Sequence, residues 1–281
     1  MSAIQKLVKA IGMFIAVILS LGIIAGICIA AVQFSNRGKD LKYSSTVEGK
    51  GSYRVESFDS IDVSSSVANI YIKPGDKYLV ETENVTDKIE IRVKNNGTLT
   101  ISDEKKWYDL FGWFTHSSYH KNSNIYITVP TNFKADSIDI SVGTGNVSME
   151  QIITDELDID GGTGDVYGKQ ITVNQLNIDA GTGEIEFVDL VTGDTDINTG
   201  VGNVTMQGKF EGDTDIDGGT GNMDLTIDGK RTDFNLEVDG GLGSVYVNGK
   251  KTREIEEDTN AKKDMNVDGG VGDINLTFTE D

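Results

Sequence analysis

The chain has 281 residues, with 45 acidic against 25 basic, 33 glycines, two prolines and one cysteine. That length builds a substantial core, and the lack of a three-residue glycine period excludes collagen. A net charge of −20 excludes nucleic acid and bare anionic lipid as electrostatic partners, and a lone cysteine excludes a disulfide framework.

Residues 1–9 read as a short cytoplasmic tail. From Ala10 to Val32 there are 23 uncharged residues rich in Ile, Leu, Val, Ala and Gly. As a helix they would span roughly 35 Å, enough for a hydrocarbon core and long for a cleaved signal. Residues 10–34 are therefore expected to be a transmembrane signal-anchor held in the lipid bilayer. Cys28 follows Ile27, a poor lipoprotein box, and reads as a small membrane-buried side chain. Basic residues lie on both sides of the segment (Lys6 and Lys9; Arg37, Lys39 and Lys42), so charge does not orient it. The short tail and large C-terminal part make a single-pass protein with an extracytoplasmic C-terminal domain the expectation.

Residues 35–55 are polar and read as a flexible stalk. An N-terminal β part is expected over 56–135. FDSIDVSSSVANIYI alternates apolar and polar residues, KPGD turns the chain, and YLVETE, KIEIRVKN, LTISDE and IYITVP follow as strands. NNG between KIEIRVKN and LTISDE is a hairpin signal. An aromatic insertion, KKWYDLFGWFTHSSYHKN, interrupts this part.

Residues 136–281 are a glycine-rich repeat. A G-x-G-x-[VIM] element begins at Gly143, Gly162, Gly181, Gly200, Gly219, Gly241 and Gly270, with the first four intervals all 19 residues. SVANI at Ser66–Ile70 is a degenerate earlier copy. Aligned copies give apolar columns, such as Ile140, Ile159, Ile178, Ile197, Ile216, Val238 and Val267, with polar residues between them. Period two within a strand and period 19 between strands predict an all-β, parallel β-solenoid (β-helix) with rungs of about 19 residues. The paired glycines belong to corners, because a nucleotide-binding loop occurs once and opens a helix.

KIEIRVKNNGTLTISDE, then IYITVP, then the run of GTGNV, GTGDV and GTGEI, and the ending GDINLTF together resemble the bacterial putative-adhesin family, a β-strand-repeat domain of unknown function found among cell-envelope stress proteins. The resemblance covers roughly Phe58 to Phe278. It implies a right-handed solenoid outside the cytoplasmic membrane and brings no catalytic residues.

Two features could carry function. Acidic columns run along the rungs through Asp158, Asp160, Asp179, Asp196, Asp215, Asp217 and Asp239. Unit charges one strand apart repel by roughly 0.9 kcal/mol even in water. The columns read either as a solvated acidic face or as a ladder for calcium; no other cofactor is expected. The insertion offers Trp107, Tyr108, Phe111, Trp113 and Phe114 as a cap or a partner-binding loop. The expected function is a non-enzymatic, adhesin-like binding or scaffold protein of the cell envelope, with an envelope protein or a surface glycan as partner. The alternatives are an envelope-stress sensor acting through a membrane partner, a calcium-stabilised β-roll, and a β-helical polysaccharide enzyme.

Overall fold

The structure, a computed structural model, describes residues 41–103, 123–252 and 254–280. The expected membrane span and the aromatic insertion lie outside these residues. Among the described residues no helix is long and apolar enough to cross a membrane. The fold is all-β. Its strands are β1 Leu41–Arg54, β2 Ser60–Val67, β3 Asn69–Gly75, β4 Leu79–Lys94, β5 Thr98–Asp103, β6 Asn124–Pro130, β7 Lys134–Thr144, β8 Val147–Thr163, β9 Val166–Thr182 and β10 Ile185–Val201. They continue as β11 Val204–Phe210, β12 Thr214–Thr220, β13 Met223–Ile227, β14 Phe234–Asp239, β15 Val245–Val247, β16 Lys250–Thr252, β17 Glu254–Glu257, β18 Lys263–Val271 and β19 Ile274–Phe278.

The central strands stack in parallel at the 19-residue offset. Ile138 pairs with Leu157, Leu157 with Leu176, Leu176 with Thr195, and Thr195 with Thr214. All five are buried, as are Ile140, Ile159, Ile178, Ile197 and Ile216 two residues on. The two threonines are polar intrusions into an apolar column. Thr195 answers its burial by sharing a hydroxyl hydrogen bond with Thr192 at 3.0 Å.

Each of β8, β9 and β10 runs for 17 residues. Straight, that would be roughly 56 Å, so the strands must bend to stay on one core. The bend falls at Gln151, Gln170 and Asp189, each at φ between 54° and 56°. Beyond it the chain again points apolar residues inward, as Ile171 and Val173 do.

SVANI is a rung of the same ladder. β2 pairs with β7 through Ile61–Ile138 and Val63–Ile140, and the Ala68 N–H donates to the Thr144 carbonyl at 3.1 Å. The NNG hairpin also forms, with β4 and β5 antiparallel through Ile91–Ile101.

Three expectations are corrected. The stalk is not structureless from Leu41 onward. β1 pairs with β4, buries Val47, and packs Tyr43 and Tyr53 against the core. Its period-two signal is faint in sequence because Ser45, Gly49 and Gly51 interrupt the inward column of Leu41, Tyr43, Val47 and Tyr53. YLVETE and KIEIRVKN are one strand, β4. The sheet is also not uniformly parallel. Pairings β4–β5, β4–β6, β14–β17 and β15–β16 are antiparallel. The ladder closes on itself, from β2 through β5, β4, β6, β3, β8 and β7 back to β2, giving a closed barrel of mixed strand direction.

Order in space also departs from order in sequence. β18, in the last copy, pairs with β12 on one side and β14 on the other. β19 likewise sits between β13 and β15. The Gly270 copy is thus inserted between the Gly219 and Gly241 copies. The Gly241 copy becomes the outermost rung and carries β16 and β17. Arg231 ties this end together through a two-pronged ion pair with Glu257.

The second glycine of each corner sits on the backbone of the preceding rung. A Cβ on Gly202, whose φ is +153°, would lie 1.7 Å from the Gly183 carbonyl oxygen. Gly161 is different. A Cβ there would meet nothing nearer than 4.0 Å, and Ala180 already occupies the same column. Gly202→Ala is expected to cost 3 kcal/mol or more, on the order of the largest backbone effects. Gly161→Ala should be neutral or stabilising, by up to about 1 kcal/mol. Urea unfolding of the two variants checks the contrast; equal losses would refute the stacking account.

Candidate binding surface

Alternation along each strand sends every second side chain outward, and parallel register lines these up between rungs. Asp139, Asp158, Asn177, Asp196 and Asp215 form one outward ladder. Asp160, Asp179, Asn198, Asp217 and Asp268 form a second beside it. Asp239 ends the second ladder against Asp268, not against Asp217, because of the rung insertion. The structure thus brings together every acidic residue singled out from the sequence. The partner-binding candidates Trp107, Tyr108, Phe111, Trp113 and Phe114 lie outside the described residues.

The second ladder edges an open groove of ≈ 590 Å³. Asp160, Asp179, Asn198 and Asp217 line it, with a floor that includes Gly161, Ala180, Thr199 and Gly218. All four ladder residues are exposed. The floor is shallow because three of its four positions carry no side chain beyond Cβ.

Both ladders feel the density of their charges. The carboxyls of Asp139, Asp158, Asp215 and Asp268 titrate above the usual range. Partial burial against the sheet is the leading cause in each. Neighbouring carboxylates add to it, Asp158 acting on Asp139, and Asp217 acting on both Asp215 and Asp268. Asn198 relieves one step by donating to Asp196 at 3.2 Å. Among the described residues no three His, Cys, Asp or Glu side chains are grouped so as to hold a metal ion. In-line carboxylates on a flat sheet do not converge on one point.

A different set of acids and amides holds the corners, and sequence reasoning missed it. Asn146, Asp165, Asn203, Asn222 and Asp273, each directly after a second glycine, accept a hydrogen bond from the backbone of the next rung. The Asp165 N–H donates to Asn146 Oδ1, and the Glu184 N–H to Asp165 Oδ1, both at 2.9 Å. The Asn222 N–H donates to Asn203 Oδ1 at 2.9 Å, and the Asp273 N–H to Asn222 Oδ1 at 3.0 Å. Asn146 itself reaches back to Asn69 Oδ1 at 2.9 Å. A second corner does the same through Asp194, Asp213 and Asp264. The signal was present as an Asn, Asp, Glu or Ser after each G-x-G. These carboxylates are structural, because charge-assisted bonds to amides hold them.

The Toastrack DUF4097 family model matches residues 58–277. No curated protein matches the chain. Three solved structures that resemble it carry putative names only. A cell adhesion protein from Clostridium sporogenes is 16% identical, over 83% of this chain and 100% of its own, with a TM-score of 0.39. An adhesin from Bacteroides fragilis is 22% identical, over 84% and 97%, with a TM-score of 0.44. A lipid binding protein from Parabacteroides distasonis is 13% identical, over 84% and 98%, with a TM-score of 0.39.

The raised carboxyls fix the sign of a pH effect. A carboxyl whose folded pKa exceeds its unfolded value disfavours folding when ionised. That penalty is full at neutral pH, falls as pH drops through the folded pKa, and is gone below the unfolded value near 3.8. Asp158→Asn and Asp215→Asn should therefore raise the melting temperature at pH 7, by about 1–2 °C each. The advantage over wild type should vanish by about pH 3.5. Melting curves at both pH values check this; a loss of stability at pH 7 would contradict it.

Proposed function

The chain belongs to the Toastrack DUF4097 family, and from that premise we propose that it is a non-enzymatic, adhesin-like binding scaffold of the bacterial cell envelope. In this reading residues 10–34 anchor it in the membrane and the β domain stands outside. The observation that carries the reading is the register itself. Equivalent outward side chains recur in line from rung to rung, as Asp160, Asp179, Asn198 and Asp217 do. A surface of that kind is suited to an extended, repeating partner, since each rung offers the same group one strand spacing on.

The same regularity supports a non-enzymatic role. A two-carboxylate mechanism needs an acid and a base at one irregular site with different environments. The ladder carboxylates recur in line from rung to rung and do not form such a pair. The uncharged stretch from Ala10 to Val32 supports the anchor. The groove floor adds shape, because a polymer lying along the rungs would meet backbone and carboxylates with no bulky side chain between them.

Two measurements test the proposal. With an epitope tag at the C-terminus, external protease should remove the tag from intact cells; a tag that survives on intact cells and is lost only after permeabilisation overturns the orientation. Full-length protein in a non-glycosidic detergent should co-sediment saturably with purified bacterial wall sacculi. Failure to sediment above a detergent-only control overturns the envelope-binding role.

A further inference from the structure

The face opposite in chain alternation to Ile70, Ile72, Val147 and Val166 carries a second outward column. Register sets Glu81 beside Tyr126, Tyr126 beside Tyr71, Tyr71 beside Ser148, Ser148 beside Tyr167, and Tyr167 beside Glu186. Tyr71 and Tyr126 stack face to face, with centroids 4.8 Å apart and planes 14° from parallel. That separation is the strand spacing, so the ring planes stand across the ladder and the stack propagates along it. Lys73 Nζ lies 5.5 Å from the Tyr126 centroid. On the far side of Tyr71 the ladder is interrupted. Ser148 holds the next position with a short side chain, and half-buried Tyr167 holds the one after.

Two strand spacings separate Tyr71 from Tyr167, about 9.5 Å. A flat ring placed over Ser148 would lie about 4.8 Å from each neighbour, the spacing the Tyr71–Tyr126 pair already shows. The rim of this slot is polar. Lys73, Glu150 and Lys169 stand two residues after Tyr71, Ser148 and Tyr167 on the same outward face, while Asn69 and Asn146, two residues before Tyr71 and Ser148, are held in the corner hydrogen bonds. The slot therefore offers apolar surfaces along the ladder and hydrogen-bonding groups around the edge. A pyranose ring has the matching chemistry, with C–H surfaces for the aromatic flank and hydroxyls for the rim. Glu81, Glu186 and Glu150 on the same face, in a chain of net charge −20, disfavour anionic sugars.

We propose that the gap over Ser148, between Tyr71 and Tyr167, is a carbohydrate slot that takes one neutral hexose or N-acetylhexosamine ring of a glycan chain. This rests on the envelope-binding reading and names the ligand class and the place. Chitotetraose and cellotetraose are the probes, titrated calorimetrically into full-length protein in a non-glycosidic detergent. Wild type should bind at least one of them. Ser148→Tyr, which completes the aromatic ladder, should weaken that binding at least about tenfold without lowering the melting temperature. Ser148→Ala should stay within about threefold of wild type, since it leaves the slot open. If neither tetrasaccharide binds wild type at millimolar concentration, or if Ser148→Tyr binds as wild type does, the slot is overturned. Binding of N-acetyltryptophanamide with neither sugar would also overturn it, as an aromatic-peptide slot. Sacculus sedimentation separates the two ideas: wall binding that persists without tetrasaccharide binding sinks the slot and spares the envelope role.

Discussion

The close approach of backbone to backbone at the G-x-G corner is the constraint on which the rest of the structure depends. Gly164, Gly183, Gly202 and Gly221 each sit so near the carbonyl of the preceding rung that no Cβ fits. That contact fixes the stagger between rungs, and the stagger fixes everything lateral. It places Leu157 on Leu176 and Ile159 on Ile178 in the core, and it places Asp160 on Asp179 outside. A slip of one residue in one rung would turn its isoleucines to water and its aspartates inward. The corner glycines and the period-two pattern therefore specify the same register twice, which is the consistency a foldable repeat requires.

The acidic character of the chain divides along the same geometry. Carboxylates at the corners, such as Asp165, Asp213 and Asp273, accept backbone N–H bonds from the next rung and stabilise the stack. Carboxylates on the flat faces, such as Asp158 and Asp215, have like charges for neighbours and oppose it. The asparagines that alternate with them keep the polar surface while lowering the charge. The amino acid is the same in both sets; what differs is whether a backbone amide points at it. Retaining a face that repels itself is a cost to folding.

The fold separates support from surface. The buried columns make a rung that can be repeated, while the outward columns can vary from rung to rung without disturbing it. One outward column is nearly all Asp and Asn; another carries Tyr126, Tyr71, Ser148 and Tyr167 in succession. The aromatic insertion enters the chain between β5 and β6, where other rungs have their glycine corner. A corner is the place where a rung can be lengthened at least expense to its neighbours.

Much of this was legible in the sequence because it depends on short-range periodicity. The 19-residue copies, the inward columns, the degenerate SVANI rung, the NNG hairpin and the acidic ladders each follow from spacing along one stretch of chain. The matched span of 58–277 agrees with the stretch those motifs cover. The tertiary structure decided whatever depends on which distant segments become neighbours. β1 joined the sheet because β4 offered it an edge, although serine and glycine had diluted its alternation. The final copy entered between two earlier ones, so Asp268 and not Asp217 borders Asp239. Tyr126 met Tyr71 from 55 residues away, and Ser148 became a gap only when register put it between two tyrosines. Local spacing fixes which face a side chain takes, because backbone geometry alternates residue by residue. Which side chain stands beside it depends on strand pairing, and pairing is chosen by the packing of the whole stack.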